Sequence, residues 1–383
     1  MPTPLEDELQ TAKAWLVDKA LPFWANAGFD ADTDLFVERT DFAGRRLDAP
    51  LRLMVQSRQI YVFAHATLLG WFDGRELVRR GLQALLKHFA TGHAEAPFAF
   101  SVDATGRVID SSADTYGYAF LLFALAWSRR LLGADVDPAT VSSIIAFLQS
   151  RLRHPSGQGF VDGLPRRQLG LRQNPQMHVL EACLEVADAF DHAQARAICD
   201  DIVSLFETRL FSSRDQALVE LHDDRWEIAD PAQAVFEPGH HFEWIWLLDR
   251  YRIATGRSSQ IPISALAHRA EREGIDGSGT VIEQVRLLGG DRVVSRRCWA
   301  TCEGLKAAAA DFRSGRDRAA AEQRAARFLQ ALRRGFLSGP FPGGWIDRID
   351  AEGRPLLDYV PASTLYHLTL AIAEADRAFG DDI

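Results

Sequence analysis

The segment FEPGHHFEWIWLL, residues 236–248 if read from Phe236 to Leu248, sets two imidazoles and a carboxylate among aromatic and aliphatic side chains. Burying such groups costs free energy unless each is paired or used. His240 and Glu243 are three apart and share a face of the helix that Pro238–Gly239 introduces. Similar groups recur elsewhere. NPQMHVLEACLEV places Asn174 as a helix cap, Pro175 in the first helical position, and His178 with Glu181 on one face. QSR at 56–58 sets Arg58 inside an apolar pattern, where arginine is rarely buried without a partner. CWATCEGLKA sets Trp299 and Glu303 four apart, and YHL sets His367 in an apolar helix start. Taken singly, each histidine is explained by a satisfied core position, and Arg58 by a salt bridge to a helix end. Taken together they keep a period: Arg58, Tyr116, His178, His240, Trp299 and His367 are separated by 58, 62, 62, 59 and 68 residues. Core histidines have no reason to do so. The chemistry on offer is a fixed cation for a substrate oxygen or a developing enediolate, and imidazoles that can take and return a proton near neutrality. His240, His241 and Glu243 are possible metal ligands, but HExxH and a further ligand set are missing, so no metal is expected. Cys298 and Cys302 read as core thiols.

The elements that must position these groups are helical. Apolar periodicity predicts twelve helices, near 5–26, 51–70, 74–92, 113–132, 137–153, 173–189, 192–210, 239–255, 260–273, 296–312, 317–336 and 362–379. A repeat of about 60 residues is one helical hairpin and a loop, and such hairpins stack on their neighbours. Six of them predict an all-α (α/α)6 barrel with inner and outer helices, a single domain over residues 1–383. An open stack would instead line a groove with the same residues. Short β-hairpins are expected in the loops at one end, with turns at Thr105–Gly106, Asp223–Asp224 and Glu352–Gly353.

Bulk properties exclude several classes. A net charge of −9 argues against a nucleic-acid partner. The acidic, amphipathic first twenty residues lack the pattern of a signal peptide, and no apolar run is long enough to span a membrane. Four cysteines make no disulfide framework, and a cytoplasmic location is the expectation.

The set QSR (56–58), NPQMHVLEA (174–182), PGHHFEWIWLL (238–248), CWATCEGLKA (298–307), GGWIDRID (343–350) and YHL (366–368) resembles the N-acylglucosamine 2-epimerase superfamily, in family order over nearly the whole chain. PASTLYHL looks most like its mannose isomerase branch, whereas CWATCEG departs from the WWPQAE of many epimerases. The resemblance implies an (α/α)6 barrel and cofactor-independent chemistry on a monosaccharide. It implies that His240 and His367 form the acid/base pair, that His178 assists ring opening or binding, and that Arg58 binds substrate oxygens. Glu243 would support its histidine or the sugar hydroxyls. Tyr116, Asn174, Glu181, Trp299 and Glu303 complete the expected substrate-binding set. The expected reaction is aldose–ketose isomerisation, mannose to fructose, through a cis-enediol(ate). The alternatives are 2-epimerisation of mannose/glucose, an N-acylhexosamine or cellobiose, and glycoside hydrolysis, for which Glu181, Glu243 and Glu303 could supply two carboxylates. A monomer or a homodimer is expected.

Overall fold

The computed structural model describes residues 3–166 and 170–380. Its helices are α1 (Pro4–Trp15), α2 (Leu21–Asn26), α3 (Leu53–Leu68), α4 (Arg75–His88), α5 (Thr115–Leu132), α6 (Pro138–Phe147), α7 (Gln173–Ala189), α8 (Ala193–Leu205), α9 (Pro238–Thr255), α10 (Ile263–Gly274), α11 (Cys298–Arg313), α12 (Arg318–Gly335) and α13 (Leu365–Phe379). A wide π turn at Leu16–Ala20 joins α1 to α2, so the two form the one rod expected over 5–26. Similar turns extend α6 and α8 at Leu148–Leu152 and Phe206–Leu210.

Local signals explain the boundaries. Thr3 and Glu6 form a capping box on α1, and Asp137 caps α6 ahead of Pro138. Gly256, at φ +72°, ends α9 in the left-handed conformation that glycine adopts without strain. The 173–189 boundary agrees with expectation, but Asn174 does not cap α7. The cap position is Arg172, without a side-chain bond, and Asn174 lies in the first turn.

Helices α3, α5, α7, α9, α11 and α13 form a closed ring, each packed on the next and α13 back on α3. They are buried on almost every side, whereas the outer helices bury one stripe, such as Val78, Gly81, Leu82 and Leu85 of α4. One continuous apolar core runs from Leu5 to Ala375. Each of the first five inner helices passes to its outer partner through a short turn, whereas α13, the last described helix, packs against α1 from the start of the chain. The way back is longer and carries the short antiparallel strands, so the β-hairpins collect at the end where the inner helices begin. The turns at Gly106 and Gly353 form, as does the one after Asp223. The longest hairpin, Ile282–Arg286 with Arg292–Arg297, was not expected; it belongs to a four-stranded sheet with Val235–Phe236 and Arg348–Ile349.

The repeat is visible atom by atom. The fourth residue of five inner helices holds the preceding loop by its backbone. Gln56 bonds both N–H and C=O of Phe36, Tyr118 those of Phe98, and Gln176 those of Phe160. His241 accepts from the Leu218 amide and Thr301 from the Val281 amide. These clamps fix the loops against the mouth of the ring.

Candidate active site

The first two turns of the inner helices enclose a chamber of about 150 Å³ lined by Arg58, Tyr116, Asn174, His178, His240, Glu243, Trp299 and His367, with Glu237, Arg297, Ser363 and Thr364. It opens into a vestibule of about 690 Å³ at the hairpin end, with which it shares Arg58, Tyr116, Asn174, Arg297, Ser363 and Thr364. Eight of the ten expected site residues therefore meet. Glu181 and Glu303 do not line the chamber: they stand behind histidines, fully buried. The periodic residues also do not share one helical position. Tyr116, Asn174, His240, Trp299 and His367 form an upper layer near the helix starts. Arg58, His178 and Glu243 form a second layer about one turn deeper.

Each histidine has a carboxylate at Nδ1. His178 lies 2.9 Å from Glu181 Oε2, His367 2.7 Å from Glu303 Oε1, and His240 3.0 Å from both oxygens of Glu220. Such a bond fixes the tautomer and leaves Nε2 for the chamber. The carboxylate on His240 is not Glu243, as the i, i+3 spacing had suggested. It is Glu220, from the loop between Ala217–Leu218 and Leu221–His222. Its second partner is Gln173, at 3.0 Å. Glu237 adds a second carboxylate 3.7 Å from His240 Nδ1.

The three rings differ in charge state. Burial draws His178 down to about 4, against the pull of Glu181. Burial, with the positive charges of Arg58 and Lys306, holds His367 well below the ordinary imidazole value. Burial also opposes a proton on His240, but Glu220 and Glu237 outweigh it and push that ring up to about 9. Two neutral imidazoles thus face one imidazolium. Asn174 Nδ2 lies 3.1 Å from His240 Nε2, while its Oδ1 has no partner. Turning the amide over would present Oδ1 to a protonated Nε2. Burial, reinforced by Glu303, pushes Glu243 well above the carboxylate range, so it is a neutral acid. Burial raises Glu237 to about 7.

Arg58 is 4% exposed and, among the described residues, has no carboxylate partner. Its Nη2 donates to Tyr116 Oη at 2.6 Å and its Nη1 to the Ser363 carbonyl at 3.2 Å. The guanidinium lies over the rings of Phe120, at 4.1 Å, and Tyr366, at 4.7 Å. Trp299 stands beside both His240 and His367, with ring centroids 4.9 and 5.7 Å apart. Trp244 and Trp246 turn away to bond Gln173 and Glu374, and His241 is tied to Leu218 and Leu266. All four cysteines are free and buried. Carboxylates and histidines cluster closely enough to hold a metal, as in Glu243, Glu303 and His367, but the Lys306 ammonium lies 2.7 Å from Glu303 Oε2 and already supplies a cation there. No described helix is long and apolar enough to cross a membrane.

Sequence reasoning did not find Glu220, Glu237 or Lys306. Glu237 directly precedes the PGH motif, and Lys306 interrupts an apolar run three residues after Glu303, so both had a local signal. Glu220 had none, because only the loop's path brings it to His240.

Residues 36–371 match the family model described as N-acylglucosamine 2-epimerase (GlcNAc 2-epimerase). The chain is 34% identical over 375 residues to the mannose-6-phosphate isomerase of Rhizobium meliloti (strain 1021), covering 94% of this chain and 95% of that protein. Solved structures with the same fold include a cellobiose 2-epimerase from Bacillus thermoamylovorans B4167, at TM-score 0.85 and 17% identity over 95% of this chain and 98% of that one. A D-mannose isomerase superposes at TM-score 0.85 with 19% identity, over 96% of this chain and 98% of that one. The fold, the motifs in order and the full-length match agree: the chain belongs to the N-acylglucosamine 2-epimerase family of sugar epimerases and isomerases.

Proposed function

We propose that the protein is a cofactor-independent aldose–ketose isomerase acting on mannose and fructose. The observation that carries the reading is Arg58, a buried cation with no carboxylate partner among the described residues, at the wall of a chamber that also holds neutral and protonated imidazoles. A buried unpaired charge is costly unless an anion arrives to meet it. The enediolate formed when a sugar loses its C2 proton is such an anion.

In this reading His178 assists opening of the pyranose. His367, neutral and with Nε2 free, takes the C2 proton. The enediolate oxygens rest on Arg58 and on the Tyr116 hydroxyl beside it. His240, as imidazolium, supplies a proton to the oxygen that needs one, and neutral Glu243 is a further donor. Return of the carbon-bound proton to C1 gives the ketose. All six inner helices begin at this end, so their amide dipoles also favour negative charge.

Support for isomerisation over epimerisation comes from the full-length relative named as an isomerase. That relative's name also raises the question of a 6-phosphate. Of the vestibule's arginines, Arg52, Arg172 and Arg348 are paired with Glu38, Asp162 and Glu283, whereas Arg297 has no carboxylate partner among the described residues, so mannose 6-phosphate is tested beside mannose. Epimerisation at C2 is the second reading, favoured by the presence of two imidazoles beside one tryptophan. Glycoside hydrolysis is disfavoured, because Glu181 and Glu303 are committed to histidines.

Incubation with mannose in deuterated water tests the reading. Fructose carrying deuterium at C1 is expected, with His367→Ala and His240→Ala each losing most turnover while remaining folded. Deuterated glucose without fructose would assign an epimerase. Turnover of mannose 6-phosphate in preference to mannose would overturn the substrate assignment.

A further inference from the structure

Lys306 has no place in the reaction above, yet its ammonium is wholly buried in the centre of the ring. It lies 2.7 Å from Glu303 Oε2 and 4.0 Å from the centroid of the Trp246 ring. The other oxygen of Glu303 is 2.7 Å from His367 Nδ1. Lys306 does not line the chamber, so it cannot touch a substrate held there.

We infer that Lys306 is a positioning residue that acts through Glu303: its charge keeps that carboxylate ionised, so that His367 carries its proton on Nδ1 and presents a bare Nε2 as the base. This rests on the proton-transfer reading of the chamber. The groups around the unit are Glu181 and His178 on α7, His240 and Glu243 on α9, Arg58 on α3 and Tyr366 on α13. Three carboxyl groups therefore surround one ammonium. Burial raises Glu303, and the Lys306 ammonium is the largest influence opposing it. Burial likewise disfavours the charge on Lys306, but Glu303, Glu243 and Glu181 outweigh it and raise that group.

Without the ammonium, a carboxylate so placed gains a proton. It then donates to His367 Nδ1, or passes the proton to the ring as an ion pair. In either distribution Nε2 is protonated and the base is lost near neutrality.

Lys306→Met tests this, with Lys306→Gln as the gentler neutral variant should the first unfold. At pH 7 a loss of roughly 100-fold or more in kcat is expected. Activity should then climb with pH over a range where the unmodified enzyme is flat, as the Glu303–His367 unit gives up its extra proton. Nitrogen-15 NMR without any sugar should show His367 Nε2 unprotonated in the wild type and protonated in the variant. In a Glu303→Gln background the Lys306→Met change should add little, and the pH climb should vanish. That double variant removes both charges, so it leaves neither buried alone. An unchanged Nε2 signal, or an equal further loss in the Glu303→Gln background, would overturn the inference. Absence of C2 proton exchange in the wild type would instead overturn the function itself, whatever the NMR shows.

Discussion

His240 and His367 have the same side chain and stand beside the same tryptophan, yet one favours the imidazolium and the other the neutral ring. His240 meets two carboxylates, Glu220 and Glu237, near one ring nitrogen. His367 shares its single carboxylate with Lys306 and has Arg58 nearby. In the proposed reaction, environment thus separates the acid from the base. A pH consequence follows for His240. In the proposed role of acid it must hold its proton, so activity is expected to fall as pH rises through about 9. In Glu220→Gln the carboxylate's pull is gone and burial dominates, so the alkaline limb of kcat should move down toward neutrality. A pH–rate profile with the limb unmoved would remove Glu220 from this role.

At the scale of elements, the site depends on how closely α9 approaches α11. Gly239 permits it: a Cβ there would lie 2.7 Å from Cζ3 of Trp299 and 2.8 Å from Cβ of Ala300. Gly239→Ala must therefore push Trp299 from its place between the two histidines. A stability loss of about 1–3 kcal/mol is expected from denaturant unfolding, together with a fall in kcat. Much of this scale was legible in the sequence. The twelve helical rods follow from apolar periodicity, and the inner–outer alternation from the repeat. The hairpin at 282–297 was not found, although Gly289–Gly290 marks its turn. Asn174 was taken as a cap because its type and the following proline fit one; the helix starts earlier, and its amide is used on His240 instead.

For the whole molecule, the decisive feature is that the ring closes. The seam between the first and last inner helices is held by Gln59 Nε2 donating to the Ala362 carbonyl at 2.7 Å, and by Arg58 donating to the Ser363 carbonyl. Gln59→Ala removes the side-chain donor to the Ala362 carbonyl, which keeps only the Leu365 amide, and loosens the segment that carries His367. A cost of about 0.5–1.5 kcal/mol is expected in thermal or denaturant unfolding, and hydrogen exchange should rise in α13. An unchanged unfolding midpoint would show that packing alone closes the seam. The sequence by itself determined the helices, their sixfold repeat, the family and most of the residues at the chamber, because periodicity and motif order are local properties of the chain. Only the tertiary structure decided which carboxylate serves which histidine, that Glu181 and Glu303 stand behind the chamber, and that His240 is charged while His367 is not. Those are matters of contact and burial between groups up to hundreds of residues apart, and a proton's position responds to differences of an ångström that no spacing along the chain encodes.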